Sequence, residues 1–439
     1  MAAELLAHEV SALAASDEAM LDALQRRSFD YFVRATDPHS GLVADTTRPD
    51  SPCSIAVVGF ALASFPVAVE RGWMERADAL KRSLHILRFF SESDQSGGVD
   101  ATGYRGFYYH FLDQRQGTRV WKSELSLIDT ALLIAGMLTA AAWFDQATED
   151  EAALRALADA LYRRVDWCWA QPDGAAVVHG WKPESGFLHY GWEGYSEALL
   201  LYVLGLGSPT HPLTEESFPA WTVTYQWENL YGYDYLYAGP FFIHQFSHAW
   251  IDFRGIRDAF MREKRSDYFQ NSRNATYIQR EYAIRNPRTF LGYGKDCWGI
   301  SAGEGPSDAS RLVVGRRQGF YGYAARGVPW GPDDGTIAGA SLVGALAFAP
   351  EIALPALRKL HAQNASAGAD RLLLSGGFNG TVSDSASQPW VSPGEFGLDQ
   401  GMVVLMIENY RSGLPWRLGR SSPILRAGLR RAGFRGGWL

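Results

Sequence analysis

The sequence predicts one all-α domain whose helix count fits a closed barrel of helical hairpins, with long rim loops and small β-hairpins. Apolar residues recur at i, i+3/i+4 in roughly eleven segments, the period of an amphipathic helix. The segments between them are rich in Gly, Pro and aromatic residues and lack the alternation of regular strands. Across 439 residues no charge run, low-complexity tract or Ser/Gly linker marks a domain break, so residues 1–439 read as a single catalytic-size domain.

Taken in order, the first helix starts at Ser16 as N-cap and carries Met20, Leu21, Leu24, Phe29 and Phe32 on one face, leaving 1–15 as a loose extension. Further helices are expected near 52–70, 74–93, 126–144, 150–169, 195–206, 240–262, 266–286, 338–347, 351–362 and 399–411, with 413–439 as a C-terminal tail. GFYYHFLD (106–113) and the 176–190 stretch alternate enough to form short hairpins. Long connections fall at 94–123, 170–194, 207–239, 287–335 and 364–398. Loops of that length in a compact protein are usually functional.

Composition narrows the function classes. Lys+Arg 41 against Asp+Glu 48 gives a net charge of −7, which argues against a nucleic-acid partner, since phosphate backbones need a basic face. The longest apolar stretches, such as 131–144, are interrupted by polar or small residues, so no membrane span is expected. Cys53, Cys168 and Cys297 are odd in number and far apart, which excludes a disulfide framework or a cysteine metal knuckle. The N-terminus has no basic region and carries Glu4, His8 and Glu9 where a signal's apolar core would lie. No secretory signal is read, and the compartment stays open: cytoplasmic as written, periplasmic for a trimmed mature form. Aromatic residues reach 13%, with 15 Trp, a share that suits both a large core and a sugar-stacking cleft.

Three constellations can carry chemistry. In VWKSELSLIDTALLIAG, Ser126 and Asp129 have capping-box spacing, so Asp129 reads as a cap that complements the helix dipole, while Glu124 sits at a loop mouth without such a task. In HYGWEGYSEALLLYVLG, Glu193 lies between Trp192 and Gly194, and Glu197 follows four residues later. A neighbouring indole raises a carboxyl pKa, as a general acid requires, whereas a helix N-terminus lowers it. Both glutamates also read as first-turn acids with no chemistry. In FFIHQFSHAWIDFRG, His244, His248 and Asp252 fall at i, i+4, i+8 and would share one helix face. Zinc ligation, cleft lining and satisfied burial are the three readings of that stripe. Asp333, Asp334 and Gly335 read as turn or cap residues, Glu395 flanks a helix start, and Asp399 reads as an N-cap. No phosphate loop, nucleophile elbow or other cofactor motif is present in the sequence. Acids and aromatics at loop mouths, with no cofactor expected, suit glycoside hydrolysis, in which one carboxyl protonates the leaving oxygen and another activates water.

WKSELSLIDTALLIAG, GWEGYSEALLLYVLGLGSPTHP, WENLYGYDYLYAGPFFIHQFSHAWIDFRGIRD, YFQNSRNATYIQREYAI, DDGTIAG and LDQGMVVLMIENYRSG resemble the bacterial glucoamylase-like proteins, and within them glycoside hydrolase family 144, the endo-β-1,2-glucanases. The resemblance implies an (α/α)6 barrel, no metal or cofactor, and inverting acid/base cleavage of linear β-1,2-glucan to sophoro-oligosaccharides. Carried over by motif, Glu193 is the expected general acid and Glu124 the base, acting on water directly or through a sugar hydroxyl. Asp129, Asp334, Asp399, His244 and His248 are expected to bind or orient substrate, with Trp121, Trp181, Trp192, Tyr195, Tyr231, Tyr235 and Trp298 as stacking surfaces. The same barrel serves β-1,2-glucosyltransferases and exo-acting sophorose-releasing enzymes, and a non-catalytic glucan-binding protein would share the motifs.

Overall fold

The computed structural model describes residues 2–172, 174–307, 309–313, 315–364, 370–385 and 388–439. Helix accounts for 48% of the chain, accompanied by small sheets. The helices are α1 (Ala2–Arg34), α2 (Ile55–Glu70), α3 (Arg76–Glu92), α4 (Leu127–Trp143), α5 (Glu149–Arg164), α6 (Leu199–Gly207), α7 (Ser217–Thr222) and α8 (Ala259–Glu263). They continue with α9 (Tyr268–Arg285), α10 (Gly339–Gly344), α11 (Pro350–Asn364), α12 (Arg371–Leu374), α13 (Gly397–Arg411), α14 (Leu414–Ser421) and α15 (Pro423–Arg431).

Helices apolar on every side belong inside. That describes α2, buried from Ile55 to Ala68, as well as α6 and most of α4. Where α2 crosses α4 the backbones touch, because Gly59 and Gly136 have no Cβ; one built on Gly59 would lie 2.4 Å from the Leu132 carbonyl oxygen. Around this pair, α6 packs on α4, α13 on α2, and α10 on α13. Ser247 Oγ binds the Glu197 carbonyl at 3.1 Å, and Gln245 Nε2 binds the Ser341 carbonyl at 2.7 Å, so the 241–249 segment links the α6 and α10 sides. The amphipathic helices lie outside: α3 with α5, α1 on α13, α11 on the α10 turn, α15 on α6. The N-termini of α2, α4, α6, α10 and α13 open toward one face.

Several elements depart from the sequence expectation. The first helix begins at Ala2, so Ser16 lies inside it; the Ala- and Leu-rich 2–15 stretch has high helix propensity. The 240–262 helix is absent: Phe241–His244 and Phe246–Ala249 are separate 3-10 turns, followed by irregular chain and α8. There the polar side chains find partners on other elements, and tertiary bonds win over the i, i+4 pattern. The 413–439 tail folds as α14 and α15, each with a proline at its start, burying Leu414, Trp416, Leu425 and Leu429. GFYYHFLD is not one hairpin. Phe107–Tyr109 joins a five-stranded sheet that includes Leu125–Ser126 and the Gly180–Lys182/Gly186–Phe187 hairpin, whereas Phe111–Leu112 pairs with Cys53–Ser54. His110 stands at the switch between the two.

Candidate active site

The gathered N-termini and the loops that precede them enclose a cavity of about 810 Å3. Seven of its lining residues are carboxylates: Asp45, Asp50, Glu124, Asp129, Glu197, Glu304 and Asp399. The cations are Arg48 and His110, and the flat walls are Phe111, Trp121, Trp192, Phe242, Phe246, Tyr323 and Phe396.

Ser126, rather than Asp129, caps α4: the Asp129 N–H donates to Ser126 Oγ at 3.2 Å, and Ser126 Oγ donates back to Asp129 Oδ2 at 2.5 Å. The same carboxylate also faces the cavity. His110 is wedged between two acids, with Nδ1 2.8 Å from Glu124 Oε1 and Nε2 3.5 Å from Asp129 Oδ2. Phe111 stacks on its ring at 3.9 Å, and the His110 N–H donates to the Glu124 carbonyl at 2.9 Å. Burial works against the imidazolium, yet Asp129 and Glu124 outweigh it and raise His110 to about 9. Glu124 answers in the opposite sense. Burial pushes its carboxyl up, and the His110 hydrogen bond and charge bring it below its ordinary value. Near neutral pH this is an ion pair.

Other acids in the cavity behave differently. Glu197 stands immediately before α6, and burial, with a contribution from Asp129, raises it to about 7. Asp399, in the first turn of α13, is raised to about 7 by burial and by Asp45. Asp45 rises to about 6, where burial exceeds the opposing pull of His110. Its loop is tied to α13 by the Gly397 N–H, which donates to the Asp45 carbonyl at 2.8 Å. Arg48 pairs with Glu304, whose other oxygen accepts from Ser392 Oγ at 2.5 Å. One cavity thus holds an ionised glutamate beside carboxyls that retain protons close to neutrality, the division of labour acid/base cleavage of an acetal needs.

Of the residues singled out from sequence, Glu124, Asp129, Trp121, Trp192 and Asp399 meet at this cavity. Glu193 does not: it is exposed and outside the lining, and Glu197, four residues later, occupies the wall. Trp121 is 70% exposed at the rim, held at φ +56° beside Phe111. Trp192 stacks on His179 at 4.1 Å. His244 and His248 are core residues. His244 lies 3.3 Å from the Ala238 carbonyl, His248 3.0 Å from Ser272 Oγ, and burial lowers them to about 4 and about 3, so both are neutral. Asp252 is bound by Arg254 and Arg420, and no metal-holding cluster occurs among the described residues. Tyr195, Tyr235 and Trp298 are buried among aromatic neighbours, Tyr195 and Tyr235 both against His244 and Trp298 against Phe241. Tyr231 lies under Arg285, and Trp181 packs on Tyr104. Asp334 forms a fully buried pair with Arg326 at 2.7 Å; Asp333 accepts from Tyr282 and Tyr293. Glu395 pairs with Arg27 and Arg34.

His110, Asp45, Glu304 and Tyr323 escaped the sequence reading. Each lies in a loop or short strand without periodicity; only the strand break at His110 left a trace, a polar residue interrupting GFYYHFLD.

Known proteins bear on this geometry. The "Putative glucoamylase" family model, Glycoamylase, matches residues 189–423, more than half the chain. An exo β-1,2-glucooligosaccharide sophorohydrolase (non-reducing end) of Parabacteroides distasonis is 26% identical over 95% of this chain, which spans 58% of that relative's length. A crystal structure described as a putative glucoamylase from Bacteroides uniformis superposes with TM-score 0.85 at 27% identity, covering 96% of this chain and 98% of that one. The endo-β-1,2-glucanase of Chitinophaga pinensis, solved with sophorotriose and glucose, gives TM-score 0.80 at 26% identity, over 96% and 99% of the two chains. With a family model spanning more than half its length, cavity wall from Glu197 to Asp399 included, this chain belongs to the glycoamylase family.

Proposed function

We propose that the chain is a glycoside hydrolase of the family 144 type that cuts β-1,2-glucan to sophoro-oligosaccharides by an inverting acid/base mechanism. The observation that carries it is the presence, in one aromatic-walled cavity, of Glu197, whose carboxyl burial raises to about 7, and Glu124, which the His110 hydrogen bond holds below its ordinary value. Relatives at 25–28% identity across nearly the whole chain, named for β-1,2-glucan cleavage, support the substrate class. The architecture that fits is an (α/α)6 barrel over one catalytic domain, with α2, α4, α6, the 241–249 segment, α10 and α13 as its inner layer.

In this reading Glu197 donates its proton to the glycosidic oxygen as the C1–O bond breaks. Water attacks C1 from the opposite face, and its proton passes to Glu124, directly or through a sugar hydroxyl. Asp129 and His110 keep Glu124 charged and fixed in place. Trp121 and Trp192 offer ring faces to glucose units, while Asp45 and Asp399 accept or donate hydrogen bonds to sugar hydroxyls. Incubation with linear β-1,2-glucan, followed by chromatography and anomer-resolved NMR, tests it. Sophoro-oligosaccharides with the inverted anomer appearing first are expected. Stepwise sophorose release marks exo action, a ladder marks endo action, longer products mark transfer, and binding without new reducing ends refutes hydrolysis.

A further inference from the structure

The last 29 residues, 411–439, contain seven arginines and no carboxylate side chain, in a chain whose net charge is −7. Folding sharpens that asymmetry. Arg411 is neutralised by Glu18 and Asp22, and Arg420 shares the buried Asp252 with Arg254. Among the described residues, none of Arg417, Arg426, Arg430, Arg431 and Arg435 is ion-paired to a side-chain carboxylate. Where they bond, they donate to main-chain oxygens: Arg431 to Leu206 and Ser208, Arg426 to Arg420 and Trp438, Arg417 to Ser412, and Arg430 to the last residue, Leu439. The bonds to peptide carbonyls fix a guanidinium without cancelling its charge. Arg257 and Arg262 adjoin them, through the 257–435 backbone pair and the Gly433 carbonyl. The exposed acids closest in the chain to this set are Glu263, tied to Lys264, and Glu215 and Glu216 ahead of α7, whose Phe218 packs on Phe434.

The position of this basic face follows from helix direction. α4, α6 and α13 begin at the cavity and end beneath it: Arg431 caps the last carbonyls of α6, and α14 continues directly from α13. At 1.5 Å per residue, the 15 residues of α13 put the two faces roughly 20 Å apart. Interleaved with the arginines are Leu418, Ile424, Trp438 and Leu439, each packed partly on the core and partly open to solvent, with Arg420 and Arg426 against the Trp438 ring. Guanidinium groups mixed with an indole and aliphatic side chains suit the headgroup layer of a bilayer, where amphipathic side chains straddle the boundary. No described helix is long and apolar enough to cross a membrane, so contact would be at the surface.

We propose that the α14–α15 face docks on an anionic lipid surface and holds the cavity mouth outward. The test is co-sedimentation of the full chain with phosphatidylcholine vesicles, with and without 30% phosphatidylglycerol, in low salt and in 0.5 M NaCl. Binding only to the anionic vesicles, abolished by salt, is expected. The triple variant Arg417→Gln/Arg430→Gln/Arg435→Gln should bind roughly 100-fold more weakly, at about fivefold per charge removed, while its hydrolysis of dissolved glucan and its melting temperature stay unchanged. No binding to anionic vesicles, or equal binding to neutral ones, overturns the proposal, and the unmodified protein alone decides this if the variant fails to fold. Tighter binding to a DNA duplex than to the vesicles overturns it in favour of another polyanion.

Discussion

Replacing His110 by glutamine is the perturbation whose consequences the structure fixes most closely. The imidazole is raised from 6.5 to about 9 by Asp129 and Glu124 against the effect of burial, which corresponds to about 3 kcal/mol favouring the folded, charged form. A group whose pKa is raised on folding stabilises fully below its unfolded value and loses that contribution as pH climbs through its folded value. The stabilisation should therefore be complete near pH 6, about half gone near 7.8, and absent above 9. Unfolding entropy near 2.1 cal/mol/K per residue scales to about 0.9 kcal/mol/K for a chain of this size, so the Tm difference should be roughly 3 °C at pH 6. Calorimetry of wild type and His110→Gln at pH 6.0, 7.8 and 9.5 measures it directly. A Tm difference that stays constant across the three pH values, or one that is absent at pH 6, would refute the ion-pair wedge. The same variant should raise the Glu124 pKa and move the acid limb of activity upward.

Glu197→Gln should lower kcat by about 10²–10⁴ with the melting temperature retained, while Glu193→Gln stays close to wild type; the reverse ranking in a reducing-end assay would return the acid role to Glu193. Because Glu197 must be protonated to act, kcat/KM should fall tenfold per pH unit above about 7 and hold steady down to pH 5. A second drop just below pH 7 would shift the base role from Glu124 to Asp399. Trp121→Ala, at a 70% exposed rim position, should raise KM with kcat nearly unchanged, read from initial rates on long glucan. Arg326→Met leaves Asp334 charged and buried, so a loss of about 3–5 kcal/mol in denaturant unfolding is expected.

What was legible in the sequence was whatever local pattern determines. The Ser126–Asp129 cap, the apolar helices α2, α4 and α6, and the placement of Glu124 at a loop mouth follow from spacing alone. Glu193 and Glu197 lie four residues apart in the non-helical chain ahead of α6, and the neighbouring Trp192 drew attention to the one outside the cavity. Choosing between them depends on which way the chain enters α6, and the bond from Ser247 to the Glu197 carbonyl, 50 residues away, helps set that entry. His244 and His248 carry the spacing of a ligand stripe, but each ring meets a polar partner on α9, Asn271 at His244 Nδ1 and Ser272 at His248 Nε2. Asp45 and His110 owe their roles to pairings with Gly397 and Glu124 that no periodicity announces.

Asp399 shows which force governs this cavity. In the first turn of α13 it resembles a structural acid, and the helix dipole favours its charged form by about 0.3–1 kcal/mol, up to roughly 2 in a partly buried geometry. The N-cap is in fact Phe396, and no side chain caps the helix. No described residue hydrogen-bonds the Asp399 carboxyl; burial and Asp45 raise it from 3.8 to about 7, equivalent to about 4 kcal/mol against ionisation. Desolvation therefore exceeds the dipole by at least a factor of two. Asp129, at the same position in α4, spends its carboxylate on Ser126 and His110. Asp399 spends its on nothing in the protein. A half-buried carboxyl without a protein partner, facing a cavity, is costly to desolvate unless a ligand satisfies it, and a sugar hydroxyl can do so by donating to the carboxylate or accepting from the acid. The Asp399→Asn variant, which keeps shape and hydrogen bonding but not charge, should therefore leave folding stability unchanged or raise it while weakening turnover. A destabilised Asn variant would mean the carboxyl serves the fold.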